Sequence, residues 1–126
     1  MKLRVTVADG NSDFLQQIVL LLISKFEVVS TATDGQSALE SICKYRPDVA
    51  VVDLKLPGIN GLDIATRAVN CAPRLSVVMC CTENDPDFVD AAFRVGILGY
   101  VLKSRIATDL IRAVETVASG ERFVSA

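Results

Sequence analysis

Short apolar runs alternate with amphipathic stretches along this chain. Leu3-Arg4-Val5-Thr6-Val7-Ala8 is rich in β-formers and stops at Asp9-Gly10-Asn11. Asn11 or Ser12 caps a predicted helix reaching about Lys25. Phe26 to Thr31 reads as a second strand, and Thr33-Asp34-Gly35 turns into a helix over Gln36 to Tyr45 with Ala38, Leu39 and Ile42 on one face. Pro47 stops it. Asp48-Val49-Ala50-Val51-Val52-Asp53 is a continuous apolar strand of the kind buried on both faces. A loop over Leu56 to Gly61 leads to a third helix, from Leu62 to about Asn70, and Pro73 ends the connection after it. Leu75 to Cys81 is a fourth strand. Asp85-Pro86 opens a fourth helix to about Val95, with proline in the first turn. Leu98 to Leu102 is a fifth strand, and a last helix from Arg105 to about Ser119 ends at Gly120. Glu121 to Ala126 reads as a short tail.

Strand and helix thus alternate five times across 126 residues. That predicts one α/β domain with a parallel sheet, because each parallel crossover must return over a face of the sheet. The longest apolar run, Ile18 to Ile23, is far short of the roughly 20 residues that span a bilayer, and Met1 to Ala8 has no signal-peptide core. Charge is nearly balanced, with 13 Lys+Arg against 15 Asp+Glu, so no basic excess points to nucleic acid. Cys43, Cys71, Cys80 and Cys81 include no C-x-x-C pair, and they are expected to be small buried thiols in a reducing cytoplasm. Histidine is absent, which removes imidazole acid–base chemistry and His-ligated zinc from this chain.

Ligand sites in such sheets lie beyond the carboxyl ends of the strands, where strand order reverses. Asp9, Asp53, Thr82 with Glu83, and Lys103 with Ser104 all fall there. A carboxylate can attack a phosphoryl group, and the transfer then needs positive charge and hydrogen-bond donors around the phosphoryl oxygens. An ammonium, a hydroxyl and an oxygen-liganded Mg²⁺ would supply them. A nucleotide- or flavin-binding enzyme would instead need a glycine- or serine-rich loop after the first strand; Asp9-Gly10-Asn11-Ser12-Asp13 begins with an acid.

These residues carry a resemblance. Asp9, the stretch Val51-Val52-Asp53-Leu54-Lys55-Leu56-Pro57-Gly58-Ile59-Asn60-Gly61, Thr82, and Gly99-Tyr100-Val101-Leu102-Lys103 are similar to the receiver domain of bacterial two-component response regulators, over residues 1–126. The resemblance implies a doubly wound five-stranded parallel sheet of order 2-1-3-4-5. It implies that Asp53 is the phosphoacceptor for a histidine kinase, and that the domain is a signalling switch rather than an enzyme. Lys103 and Thr82 would contact the phosphoryl group, Tyr100 would be a switch residue coupled to Thr82, and Asp9, Asp53 and the Lys55 carbonyl would bind Mg²⁺. The switched face would be that of the fourth helix, fifth strand and fifth helix.

Three positions depart from the family pattern. Gly10 stands where a second acidic residue is usual, which argues for weak Mg²⁺ binding and supports an alternative role as a phosphorylation-independent interaction module. Ser104 replaces a common proline, which disfavours a cis peptide there. Glu83 adds a negative charge beside Thr82. On the first helix, Phe14, Ile18, Leu21 and Leu22 are expected to face the core. Leu15, Val19 and Ile23 form a second stripe expected to face outward, and with Ala107, Ile111 and Ala118 of the last helix they suggest a homodimer surface. The tail resembles the end of receivers that precede a helix-turn-helix output domain. DNA binding is therefore expected only through a domain outside this chain.

Overall fold

The computed structural model describes residues 2–125; Met1 and Ala126 lie outside the described residues. In chain order the elements are β1 (Arg4–Ala8), α1 (Ser12–Leu22), β2 (Glu27–Ala32), α2 (Gly35–Tyr45), β3 (Val49–Asp53), α3 (Gly61–Ala68), β4 (Ser76–Cys81), α4 (Pro86–Arg94), β5 (Gly99–Leu102), α5 (Ile106–Ala118) and β6 (Phe123–Val124). A single 3-10 turn, Lys103–Arg105, joins β5 to α5. Side chains fix the helix starts. Asn11 accepts the Phe14 N–H, Asp34 that of Ser37, Asn60 that of Asp63 and Asp85 that of Asp87.

Among the described residues the sheet has six strands, all parallel, in the order β2-β1-β3-β4-β5-β6. The expected five-stranded order is correct as far as it goes, but it is one strand short. Phe123 and Val124, expected to lie in a tail, pair with Gly99 and Tyr100 instead. Two residues carry no readable periodicity, whereas β5 has an outer edge of unpaired backbone groups that gains from a partner.

Every β3 residue is buried, as its continuous apolar run predicts. The alternate side chains of the inner strands feed two cores. Val5, Val7, Val49, Val51, Val78, Cys80 and Val101 face α1 and α5. Ala8, Ala50, Val52, Met79, Cys81 and Tyr100 face α2, α3 and α4. Gly99 lets α5 approach β5: a Cβ there would lie 2.9 Å from Val78 Cγ2 and 3.0 Å from Val117 Cγ1.

Two expectations are corrected here. Cys43 on α2 and Cys71, just beyond α3, form a disulfide with their Cα atoms 5.3 Å apart; only Cys80 and Cys81 are free buried thiols. Helix–helix packing brings the pair together across 28 residues, a separation no local spacing rule encodes. On α1 the buried residues are Leu15, Ile18 and Leu22, so Leu15 belongs to the core rather than to an outward stripe. Phe14, Leu21 and Val19 are half-buried, Ile23 is exposed, and Leu20 is the most exposed of all at 68%. An i, i+3, i+7 arc from Leu15 rotates the apolar face by part of a turn relative to an arc from Phe14. No helix among the described residues is long and apolar enough to cross a membrane.

Candidate functional site

The chain leaves β1 toward β2 on one side and returns through α2 to β3 on the other. The carboxyl ends of β1 and β3 therefore flank the point where strand order reverses, and Asp9 and Asp53 stand there. Both are held by the backbone that follows them. Asp9 Oδ1 accepts the Asn11 N–H at 2.9 Å, and Asp53 Oδ1 accepts the Lys55 N–H at 3.2 Å. The opposite oxygens converge on one cation: Lys103 Nζ lies 3.1 Å from Asp9 Oδ2 and 3.2 Å from Asp53 Oδ2. It also lies 4.9 Å from the centre of the Phe14 ring. Burial works against the Lys103 charge, but the hydrogen bond to Asp9 and the charge of Asp53 outweigh it and raise its pKa above the ordinary lysine value.

A cleft of about 150 Å³ opens beside Asp53, lined by Lys55, Thr82, Glu83, Phe88 and Lys103 among others. Thr82 is exposed, and no hydrogen bond holds its hydroxyl among the described residues. Tyr100 is fully buried, and its hydroxyl donates to the Glu83 carbonyl at 2.6 Å. That bond ties β5 to the loop after β4. Burial raises the pKa of Tyr100 and of both free thiols, so at neutral pH all three are neutral packing groups and not nucleophiles. Among the described residues no peptide is cis, in keeping with Ser104 in place of proline.

The residues present suit a hard cation of low protein-ligand count. Among the described residues Asp9 Oδ2 is buried without a hydrogen bond of good geometry, and the Lys103 ammonium lies 3.1 Å from it. Two carboxylates and nearby carbonyls are the donor set that Mg²⁺ takes together with several waters. Gly10 is exposed, and a Cβ on it would lie 3.2 Å from Pro57 Cδ, so a larger residue needs only a small shift of the proline ring.

Asp9, Asp53, Thr82 and Lys103 thus lie at the carboxyl ends of β1, β3, β4 and β5, with the Lys55 backbone beside Asp53, while Tyr100 lies within β5. Phe14 escaped sequence reasoning. Its position in the first turn after Asp9 is a usable signal, but its apolar character assigns it to the core.

A family model described as the response regulator receiver domain matches residues 5–115. The chain is a response regulator receiver domain. The receiver is 32% identical over 126 residues to the transcriptional regulatory protein NarL of Mycobacterium tuberculosis, covering 98% of this chain and 58% of NarL. It is 30% identical over 125 residues to the transcriptional regulatory protein DegU of Brevibacillus brevis, covering 98% of this chain and 53% of DegU. It therefore spans little more than half the length of these curated relatives. Its fold matches the receiver domain of NarL from Mycobacterium tuberculosis with a TM-score of 0.88 at 33% identity, covering 95% of this chain and 98% of that one. It also matches the isolated receiver domain of RcsB from Salmonella enterica, solved with the phosphomimetic BeF3−, with a TM-score of 0.88 at 25% identity over 99% and 94% of the two chains.

Proposed function

We propose that this receiver accepts a phosphoryl group on Asp53 from a histidine of a partner kinase. The convergence of Asp9 and Asp53 on Lys103 Nζ, beside an open cleft, carries this reading. A carboxylate oxygen of Asp53 attacks phosphorus, the P–N bond to the kinase imidazole breaks, and its electron pair returns to the ring nitrogen. Lys103, paired with Asp9 and Asp53 beforehand, pairs with the phosphoryl oxygens as Asp53 becomes an acyl phosphate. The Thr82 hydroxyl, without a hydrogen-bond partner among the described residues, donates to the same oxygens and draws the loop after β4 inward. Asp9, Asp53 and the Lys55 carbonyl would hold Mg²⁺, which when bound neutralises charge on the transferring group. Loop movement reaches Tyr100 through its bond to the Glu83 carbonyl, and so the face of α4, β5 and α5 changes.

The relatives' names speak of transcriptional regulation, and we extend that role to this receiver: a DNA-binding segment joined to it would carry the output, in the cytoplasm. An α1–α5 homodimer through Val19, Leu20 and Ile23 is part of the same proposal.

The test is intact mass after incubation with a small phosphodonor and Mg²⁺. One phosphoryl mass is gained in the unchanged protein and none in Asp53→Asn. No gain at high Mg²⁺ overturns the reading and favours the phosphorylation-independent module that Gly10 suggests.

A further inference from the structure

The segment after α5 makes more contacts than its length suggests. Gly120, at φ +88°, turns the chain back beside the sheet. The Phe123 N–H then donates to the Leu98 carbonyl at 3.0 Å, and the Ser125 N–H to the Tyr100 carbonyl at 2.9 Å. The Ser125 hydroxyl, 2% exposed, is bonded on both sides. It accepts the Leu102 N–H at 3.1 Å and donates to Asp109 Oδ2 at 2.8 Å. Asp109 is itself buried, and it also accepts from Arg105 Nε at 3.0 Å. Two stacked cations add to this: Arg122 lies 4.3 Å over the Phe93 ring of α4, and Arg112 of α5 lies 5.4 Å over the Phe123 ring. Residues 122–125 thus bridge α4 and α5 across the edge of β5.

The bonded residues of β5 are those next to the site. Tyr100 takes the Ser125 N–H on its carbonyl while its hydroxyl holds the loop of Thr82 and Glu83. Leu102, bonded to Ser125 Oγ, directly precedes Lys103. We propose that residues 121–125 form a strap that closes the α4–β5–α5 face, and that its docking and the state of the phosphorylation site are coupled through Tyr100 and Leu102. The link to phosphorylation rests on Asp53 being the acceptor; the docking does not. Coupling is reciprocal: whatever loosens the strap must shift the site, and whatever shifts the site must loosen or tighten the strap by the same factor. Any segment joined to the chain after Ser125 would feel that change first.

Hydrogen exchange read by mass spectrometry tests the proposal in the unchanged protein and in Arg122→Ala/Ser125→Ala. In the unchanged protein the Phe123 and Ser125 amides are protected. In the double variant they exchange faster by about tenfold, the order expected for one lost hydrogen bond. The loop over 82–85 also speeds up, while β1 and β3 keep their protection. Unprotected Phe123 and Ser125 in the unchanged protein overturn the strap. Faster exchange confined to residues 121–125 overturns the coupling. Asp109→Asn, which keeps the side-chain shape, gives the same contrast if the double variant loosens the whole sheet.

Beryllofluoride with Mg²⁺ reads the link from the other end, with ¹⁹F NMR reporting the bound anion. Bound anion with altered protection at Phe123 and Ser125 supports the coupling, and bound anion with unaltered protection overturns it. Absence of bound anion overturns the Asp53 reading alone, and the variant contrast still decides the strap.

Discussion

Lys103 shares its charge between two buried carboxylates and rests on an aromatic ring. Replacing it with a neutral side chain of similar length removes the positive charge aimed at the transferring group. Lys103→Met is expected to slow Asp53 phosphorylation by about 10²-fold or more, read as mass gain over time with a small phosphodonor. Gly10 offers the opposite change. Gly10→Asp adds a carboxylate where the new Cβ meets Pro57 Cδ at 3.2 Å and its other neighbours at ordinary contact distance. We expect Mg²⁺ to bind about tenfold more tightly, the scale of one added charge contact in a part-exposed site; calorimetric titration with Mg²⁺ measures it, and an unchanged affinity refutes it. Residues like these were legible in the sequence because strand ends announce themselves. An acid closing the four-residue apolar run Val49 to Val52 has few structural uses. Phe14 was not legible, because a phenylalanine in an amphipathic helix looks the same whether it packs on leucine or on an ammonium.

At the scale of the elements, the α5–β6 clasp has a pH signature. The Ser125 hydroxyl, followed by the Arg105 guanidinium, holds the Asp109 carboxyl below its ordinary value of 3.8. A carboxylate whose pKa is lowered by folding adds stability above the unfolded value, and loses it as pH falls from there through the folded value. Urea unfolding of the unchanged protein should therefore weaken below about pH 4 more steeply than that of Asp109→Asn. Parallel slopes would count against the clasp. Helix α1 poses a different question. Leu20 and Ile23 remain exposed although the helix buries its Leu15, Ile18 and Leu22 face well. If that surface pairs receivers, Leu20→Glu lowers the mass seen by light scattering at high concentration; a monomer in the unchanged protein ends the idea. The helix itself was readable from periodicity. The direction of its outer stripe was not, because α1 is apolar nearly all round and several faces fit the pattern equally well.

For the whole molecule, the alternation of strand and helix was enough to give the parallel sheet, its two covered faces and the edge where chemistry gathers. It could not give the sixth strand or the Cys43–Cys71 bridge, which depend on which surfaces meet after folding. The bridge closes a loop of 28 residues between α2 and the end of α3. Removing it with Cys43→Ser/Cys71→Ser should cost about 2–4 kcal/mol in the oxidised protein, measured by denaturant unfolding with and without reductant. The reduced unchanged protein should then match the double variant.

The position of β6 also bears on synthesis. Synthesis runs from the N- to the C-terminus, so β1 to β5 and their helices leave the ribosome before Phe123 does. Until then the outer edge of Gly99–Leu102 offers its backbone groups to any extended segment that arrives. A nascent receiver is therefore most open to pairing with a neighbouring copy just before its own last strand emerges.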